Sequence, residues 1–207
     1  MNHINIEAGA EKEKNKPKPW KKMGAPRILA ESRGRKLFIQ QYIDPHTDEV
    51  ENFTLFGFTG LSSIVFAVTT EEKVLVVSQY RHAQDFISLE LPGGASKYLG
   101  QSPEDIAREE LAEETRGYEP KTVIPLMKNN GLVESILASP IHPFLFLGCR
   151  KKSGNPAKRD KGEYIELFTL AIEKWIAMCQ TGQIRDVRSI AVTVLAQGYL
   201  NSIGWKL

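Results

Sequence analysis

The sequence predicts an α/β protein in which a strand sandwich is flanked by helices and preceded by a small β-rich lobe. Three observations predict this class. A glycine pair, Gly93 and Gly94, leads into a helical segment dense in carboxylates. Short apolar runs of strand length stand on both sides of that loop and helix, and two apolar helical segments follow them. The 207 residues, with a 42% apolar fraction, suit one principal domain with an accessory lobe and a sizeable buried core.

In chain order, residues 1–25 contain EKEKNKPKPWKK, charged and proline-bearing with little to bury, and are expected to form a flexible tail in which Trp20 docks locally. Residues 26–60 read as short strands broken by a turn at Asp44-Pro45-His46-Thr47, which makes them the β-rich lobe. Residues 61–207 form the main domain. Within it VLVVSQYRH at 74–82 and ISLELPGG at 87–94 lead to the glycine loop and the acidic helix. Strands are expected over 121–127, 141–150 and 164–170, and helices over 171–179 and 185–200.

The acidic helix carries most of the chemistry in the stretch ELPGGASKYLGQSPEDIAREELAEETRGY, residues 90–118. With Ile106 set at zero on a helix of 3.6 residues per turn, Glu113, Glu110, Glu114 and Leu111 fall at about -20, 40, 80 and 140 degrees. Three carboxylates therefore share the apolar stripe of Ile106, Ala107 and Leu111, where an unpaired charge is costly to remove from water. Glu104 and Asp105 suit the positive end of the helix dipole, whereas Glu113 and Glu114 lie near its negative end. Like charges about 4 Å apart repel by roughly 4 kcal/mol at an effective dielectric near 20, and a divalent cation reverses the sign. Ligands that are all oxygen point to Mg²⁺ or Mn²⁺. The competing reading is a partly exposed helix whose long glutamates reach water.

This segment resembles the signature of the Nudix hydrolase family, G-x5-E-x7-R-E-U-x-E-E-x-G-U, with U a bulky aliphatic residue. Aligning Glu110-Leu111-Ala112-Glu113-Glu114 with E-U-x-E-E keeps all three helix carboxylates. The resemblance implies Glu110, Glu113 and Glu114 as catalytic metal ligands, with Gly93 of the preceding loop in the metal set. The same register leaves departures. The loop after Gly94 is one residue longer than the signature's five, the first signature acid is Gln101, the signature arginine is Glu109, and Arg116 is inserted before Gly117. Arg108, about 160 degrees from Glu110 on the wheel, does not take the arginine's place. An uncharged Gln101 predicts a weaker or differently hydrated metal cluster.

The runs at 74–82 and 87–94 are similar to the ADP-ribose pyrophosphatase branch of that family, which cleaves nucleoside diphosphate sugars. That resemblance implies Arg81, after the Gln79-Tyr80 pair, and Glu90, opening Glu90-Leu91-Pro92-Gly93-Gly94, as substrate-binding residues. A surface charge and a buried ion-pair partner for the helix are their structural alternatives. The resemblance further implies a Nudix α/β/α sandwich, Mg²⁺ as cofactor with Mn²⁺ as its substitute, and a homodimer formed through the 26–60 lobe. It places the general base at Glu163, in GEYIELF, with Glu166 as the fallback and Glu134 as a minor candidate. The expected activity is hydrolysis of the pyrophosphate linkage of ADP-ribose or a related nucleoside diphosphate sugar. The alternative is a catalytically impaired Nudix-fold module that binds a nucleotide sugar for regulation.

Composition narrows the classes further. A net charge of +2, with basic residues spread between the N-terminal segment and CRKKSGNPAKRDK, gives no strong indication of a nucleic-acid surface. No run approaches the roughly 18 apolar residues of a membrane span, and the N-terminal stretch lacks the pattern of a signal or transit peptide, so a cytoplasmic protein is expected. Cys149 and Cys179 stand apart without the paired spacing of a zinc site and are expected to be reduced and structural.

Overall fold

The computed structural model describes residues 17–58, 60–128, 131–152 and 164–207. Two compact units divide the chain, one ending at Phe56 and the other running Gly57–Leu207. The first holds a three-stranded sheet of β1 (Lys21–Ser32), β2 (Arg35–Ile43) and β3 (Val50–Phe58), in that order. Arg33 and Gly34 close the β1–β2 hairpin with φ of 48° and 71°, the left-handed pair that a twisted two-residue connection requires. The predicted turn after β2 is present, where the Asp44 carboxylate accepts the His46 N–H at 2.7 Å. The tail expected over 1–25 is corrected at its end, because β1 begins at Lys21 and the Trp20 ring meets Phe53 edge-on at 5.3 Å. Every residue of β1 is exposed, so its strand carries no inside-outside alternation to read.

The second unit is built on a sheet in the order β11-β5-β4-β10-β8, using β4 (Ser62–Thr69), β5 (Lys73–Arg81), β8 (Tyr118–Glu119), β10 (Ile141–Lys151) and β11 (Ile165–Ala171). Short strands β6 (Phe86–Glu90), β7 (Gly93–Ala95) and β9 (Thr122–Pro125) pair with β5, β4 and β10 respectively. The β4–β10 pair is parallel, and the pairs β4–β5, β4–β7, β5–β6, β5–β11, β8–β10 and β9–β10 are antiparallel. Three helices complete the unit: α1 (Pro103–Glu114), α2 (Ile172–Gln180) and α3 (Val187–Ser202).

Alternation along β4 assigns the helices to opposite faces. Ile64, Phe66 and Val68 pack in one cluster with Trp175 and Ile176 of α2 and Val192, Ala196 and Leu200 of α3. Val65 and Ala67 join Leu75, Phe144, Phe146 and Cys149 in a second cluster, closed by Ala107 and Leu111 of α1. All eight residues of β4 are buried, as a strand covered on both faces must be. The result is the predicted α/β/α sandwich.

Burial also governs two side chains on the α1 face. The Cys149 thiol is fully buried, which pushes its pKa up to about 12 and leaves it inert as a nucleophile. His142 stands opposite Ser63 in the register, and its Nε2 is buried with no hydrogen-bond partner among the described residues. Desolvation lowers the His142 pKa below its usual value, so the folded state favours the neutral ring. Its stabilising effect is therefore present above the unfolded value near 6.5 and is lost as pH falls through the lower folded value. The melting temperature should fall between pH 7 and 5 more steeply in the wild type than in His142→Gln, and parallel curves by calorimetry would refute the assignment.

Candidate active site

α1 starts where the sequence supplies its own cap. Ser102 accepts the Asp105 N–H at 3.1 Å, Pro103 occupies the first turn, and Glu104 and Asp105 lie at the positive dipole end. At the far end Arg116, at φ 60°, and Gly117, at φ 96°, turn the chain away, and the Gly117 N–H closes on the Ala112 carbonyl at 2.7 Å. No basic residue occupies the last turn. The carboxylates of Glu113 and Glu114 therefore meet their counter-charges from other elements.

The buried stripe contains Ile106, Ala107, Leu111 and also Glu114, which is 5% exposed. Glu114 accepts the Gly93 N–H at 2.9 Å, so the glycine loop contributes a backbone donor to this carboxylate. Gly93 pairs with Ile64, and a Cβ there would come within 2.5 Å of the Ser63 carbonyl oxygen, so glycine is required for the close strand approach. Glu110 lies against Gly94, where an added Cβ would stand 2.5 Å from its carboxyl carbon. Gly94→Ala should leave the fold intact, because a flexible glutamate tip can move, but it should displace the Glu110 carboxylate. We expect metal affinity about 10-fold weaker than wild type, since a carboxylate that holds or orients a metal is worth about 10- to 100-fold. Unchanged Mn²⁺ binding in Gly94→Ala would exclude Glu110 from the metal set.

Gln101 and Glu109, two of the departures from the Nudix pattern, are bonded to each other. Gln101 is 4% exposed, and its Nε2 donates to the Glu109 carboxylate at 2.8 Å while its Oε1 accepts the Lys97 N–H at 3.0 Å. An acid and an arginine at these two positions would attract by charge, and here an amide donor and a carboxylate acceptor make the link instead. Gln101 thus ties the loop to the helix, a different role from the weakened ligand expected from its lack of charge. Lys97 reaches on from the same loop to pair with Glu113.

A second polar cluster lies where β5, β6 and α3 converge. Glu90, 2% exposed, accepts Arg81 Nε at 2.7 Å and also pairs with Arg81 Nη2, so the contact is bidentate. Arg188, from the first turn of α3, reaches the same carboxylate at 3.2 Å. Asp186 caps α3 by accepting the Ser189 N–H at 2.9 Å and pairs with Arg188 Nε at 2.9 Å. The Ser189 hydroxyl accepts the Leu91 N–H at 2.9 Å, which stitches the helix start to the Glu90-Leu91-Pro92 segment. Burial opposes the Arg81 charge, but the hydrogen bond and charge of Glu90, with Asp186 and Glu114, hold the guanidinium above its usual pKa. Arg81 therefore lies within the electrostatic reach of both Glu90 and the α1 carboxylate. Arg188 lies 98 residues from Glu90, so no local pattern pairs the two, and only its basic character at a helix start hints at a role.

The base candidates separate. Glu163 lies outside the described residues. Glu166, the fallback, pairs with Ser78 in the β11–β5 register, so alternation turns it away from the face on which Leu167 packs with α1. Glu134 is exposed in the segment before β10, where its carbonyl accepts the Leu137 N–H at 3.3 Å. A cleft of about 450 Å³ beside β11, lined in part by Tyr80, Ile87, Arg116 and Glu166, includes none of the α1 carboxylates.

Among the described residues no three carboxylate, imidazole or thiol side chains converge into a ready-made metal cage. In this conformation Gly93 and Lys97 take up charge on Glu114 and Glu113. The donor set still fits a hard divalent cation, being three carboxylates from successive turns of one helix, all oxygen, beside a backbone loop with no Cβ to block it.

No protein-family model matches the chain. It is 32% identical over 139 residues to a methanol dehydrogenase activator of Bacillus methanolicus, covering 66% of this chain and 69% of that protein. It is 28% identical over 130 residues to an ADP-ribose pyrophosphatase of Bacillus subtilis (strain 168), covering 60% of this chain and 65% of that protein. The crystal structure of an ADP compounds hydrolase superposes with a TM-score of 0.67 at 14% identity, over 88% of this chain and 97% of that one. A sandwich shared with that hydrolase, a loop and helix that keep the three acids, and kinship across more than two thirds of a relative's length together place this chain in the Nudix hydrolase family.

Proposed function

We propose that the protein hydrolyses the pyrophosphate linkage of ADP-ribose or a related nucleoside diphosphate sugar, releasing a nucleoside monophosphate and a sugar phosphate. The observation that carries this reading is Glu114, a buried carboxylate held by the Gly93 N–H within the field of Arg81. Glu110, Glu113 and Glu114 would hold Mg²⁺ or Mn²⁺, with Gly93 beside them. A cation held there would supply charge neutralisation for the diphosphate and a more acidic bound water. Arg81, whose side chain is 28% exposed, would offer its remaining guanidinium donors to a phosphate oxygen while Glu90 fixes its plane. Glu163 accepts the proton of the attacking water as its oxygen bonds to phosphorus and the bridging P–O bond breaks. The ADP-ribose pyrophosphatase among the relatives supports this substrate class.

The first unit supports assembly of two copies. Its sheet leaves Met23, Ile28, Leu29, Val50 and Phe53 exposed, and apolar side chains of this kind on a small sheet suit burial against a second copy. No helix of the described residues is long and apolar enough to cross a membrane, and a cytoplasmic homodimer is the proposed setting.

A second reading is a regulatory module that binds a nucleotide sugar with little turnover. It is favoured by a relative named as an activator of methanol dehydrogenase and by the altered Gln101–Glu109 pair. Incubation with ADP-ribose and a panel of nucleotide sugars, with Mg²⁺, Mn²⁺ or EDTA, separates the two. Metal-dependent release of nucleoside monophosphate supports the hydrolase, whereas saturable binding without release supports the regulator.

A further inference from the structure

We propose that Lys97 is a built-in counterion of Glu113 that competes with the metal and, once displaced, binds a phosphate oxygen of the substrate. This inference rests on the reading of α1 as a metal-binding element. Lys97 belongs to the loop between β7 and α1, and its ammonium pairs with Glu113, the lysine being 40% and the glutamate 18% exposed. The pairing is built into the loop. The Lys97 N–H is held at 3.0 Å by the buried Gln101 amide oxygen, and the same amide donates to Glu109 at 2.8 Å. The lysine backbone is therefore tied to α1 at a point two turns from its cap, which keeps the start of its side chain within reach of Glu113.

Charge explains what the pairing does. α1 has no basic residue in its last turn, so its C-terminal carboxylates are neutralised from outside the helix. Arg81 acts on Glu114, and Lys97 acts on Glu113. A divalent cation arriving at Glu113 finds the ammonium beside it, and two cations cannot share that carboxylate without strong repulsion. The ammonium must swing away, yet its backbone anchor keeps it next to the site. A diphosphate brought to the metal is the anion that then meets it, so metal and phosphate favour each other through one lysine. A lysine is suited to this exchange because its charge is a mobile point on a flexible stem with rotatable donors.

The test uses the full chain, with Mn²⁺ alone followed by electron paramagnetic resonance and AMP binding at saturating Mn²⁺ followed by calorimetry. Lys97→Met should bind Mn²⁺ about 10-fold more tightly than wild type, the scale expected for removing a unit charge near a divalent ion in a wet site. The same variant should bind AMP several-fold more weakly, and Lys97→Arg, which keeps the charge, should stay near wild type in Mn²⁺ affinity. Wild-type Mn²⁺ binding that is unchanged or weakened in Lys97→Met overturns the role of Lys97 and leaves the metal reading standing. Tighter Mn²⁺ with unaltered AMP affinity overturns the phosphate half of the proposal. Absence of Mn²⁺ binding in wild type and variants alike overturns both readings together.

Discussion

Glu114→Gln is expected to lower metal-dependent release of nucleoside monophosphate from ADP-ribose by about 100-fold or more, given that even residues that only orient metal ligands are worth about 10- to 100-fold. The loss should come without unfolding. The amide oxygen of the replacement can still accept the Gly93 N–H, and the side-chain volume beside Ile106 and Leu111 is kept. Its new NH₂ group enters a buried position, which costs about 1–3 kcal/mol if left without an acceptor. Arg81 also loses one of the negative charges that hold its pKa up, though Glu90 and Asp186 remain. Activity and stability therefore part company in this variant. Turnover at the wild-type rate in folded Glu114→Gln protein would remove Glu114 from the catalytic set.

Glu90→Ala should give the largest loss of stability, about 3 kcal/mol, the lower end of the range for breaking a buried ion pair by deleting one partner. The lower end applies because the orphaned groups keep part of their surface in water, 28% for Arg81 and 37% for Arg188. Three contacts are lost at once, since one carboxylate takes both donors of Arg81 and the tip of Arg188. Substrate binding should weaken too, because the plane of Arg81 is set by this fork. Urea unfolding measures the first effect and AMP calorimetry the second. A stability loss below about 1 kcal/mol, the scale of an exposed surface pair, would show that the cluster is merely peripheral.

Much of the sandwich was legible because burial imprints a period. β4 and β5 each contain a continuous apolar run, and α1 combines a cap, a stripe and a stop between Ser102 and Gly117. The inward placement of Glu114 followed from helix angles alone. Two kinds of feature were not legible. The strand from Lys21 has no buried side, so its sequence looked like tail. Partnerships between distant residues left no local trace either. Gln101 and Glu109 each look like a defect when read singly, and only their bond reveals a matched pair. Arg188 belongs to a helix start far along the chain from Glu90, and Lys97 is one lysine in a loop until its anchor and its partner are seen together.

The strand β4 feeds both hydrophobic clusters from alternate residues, and this has a dynamic consequence. Neither layer can loosen without disturbing the same backbone. The amides of Val65, Phe66, Ala67 and Val68 should be among the slowest in the chain to exchange with deuterium, and they should do so only on global opening. The acidic helix on one face and the arginine-bearing helix on the other are thus joined through a single common timekeeper: whichever layer opens first, the other follows it.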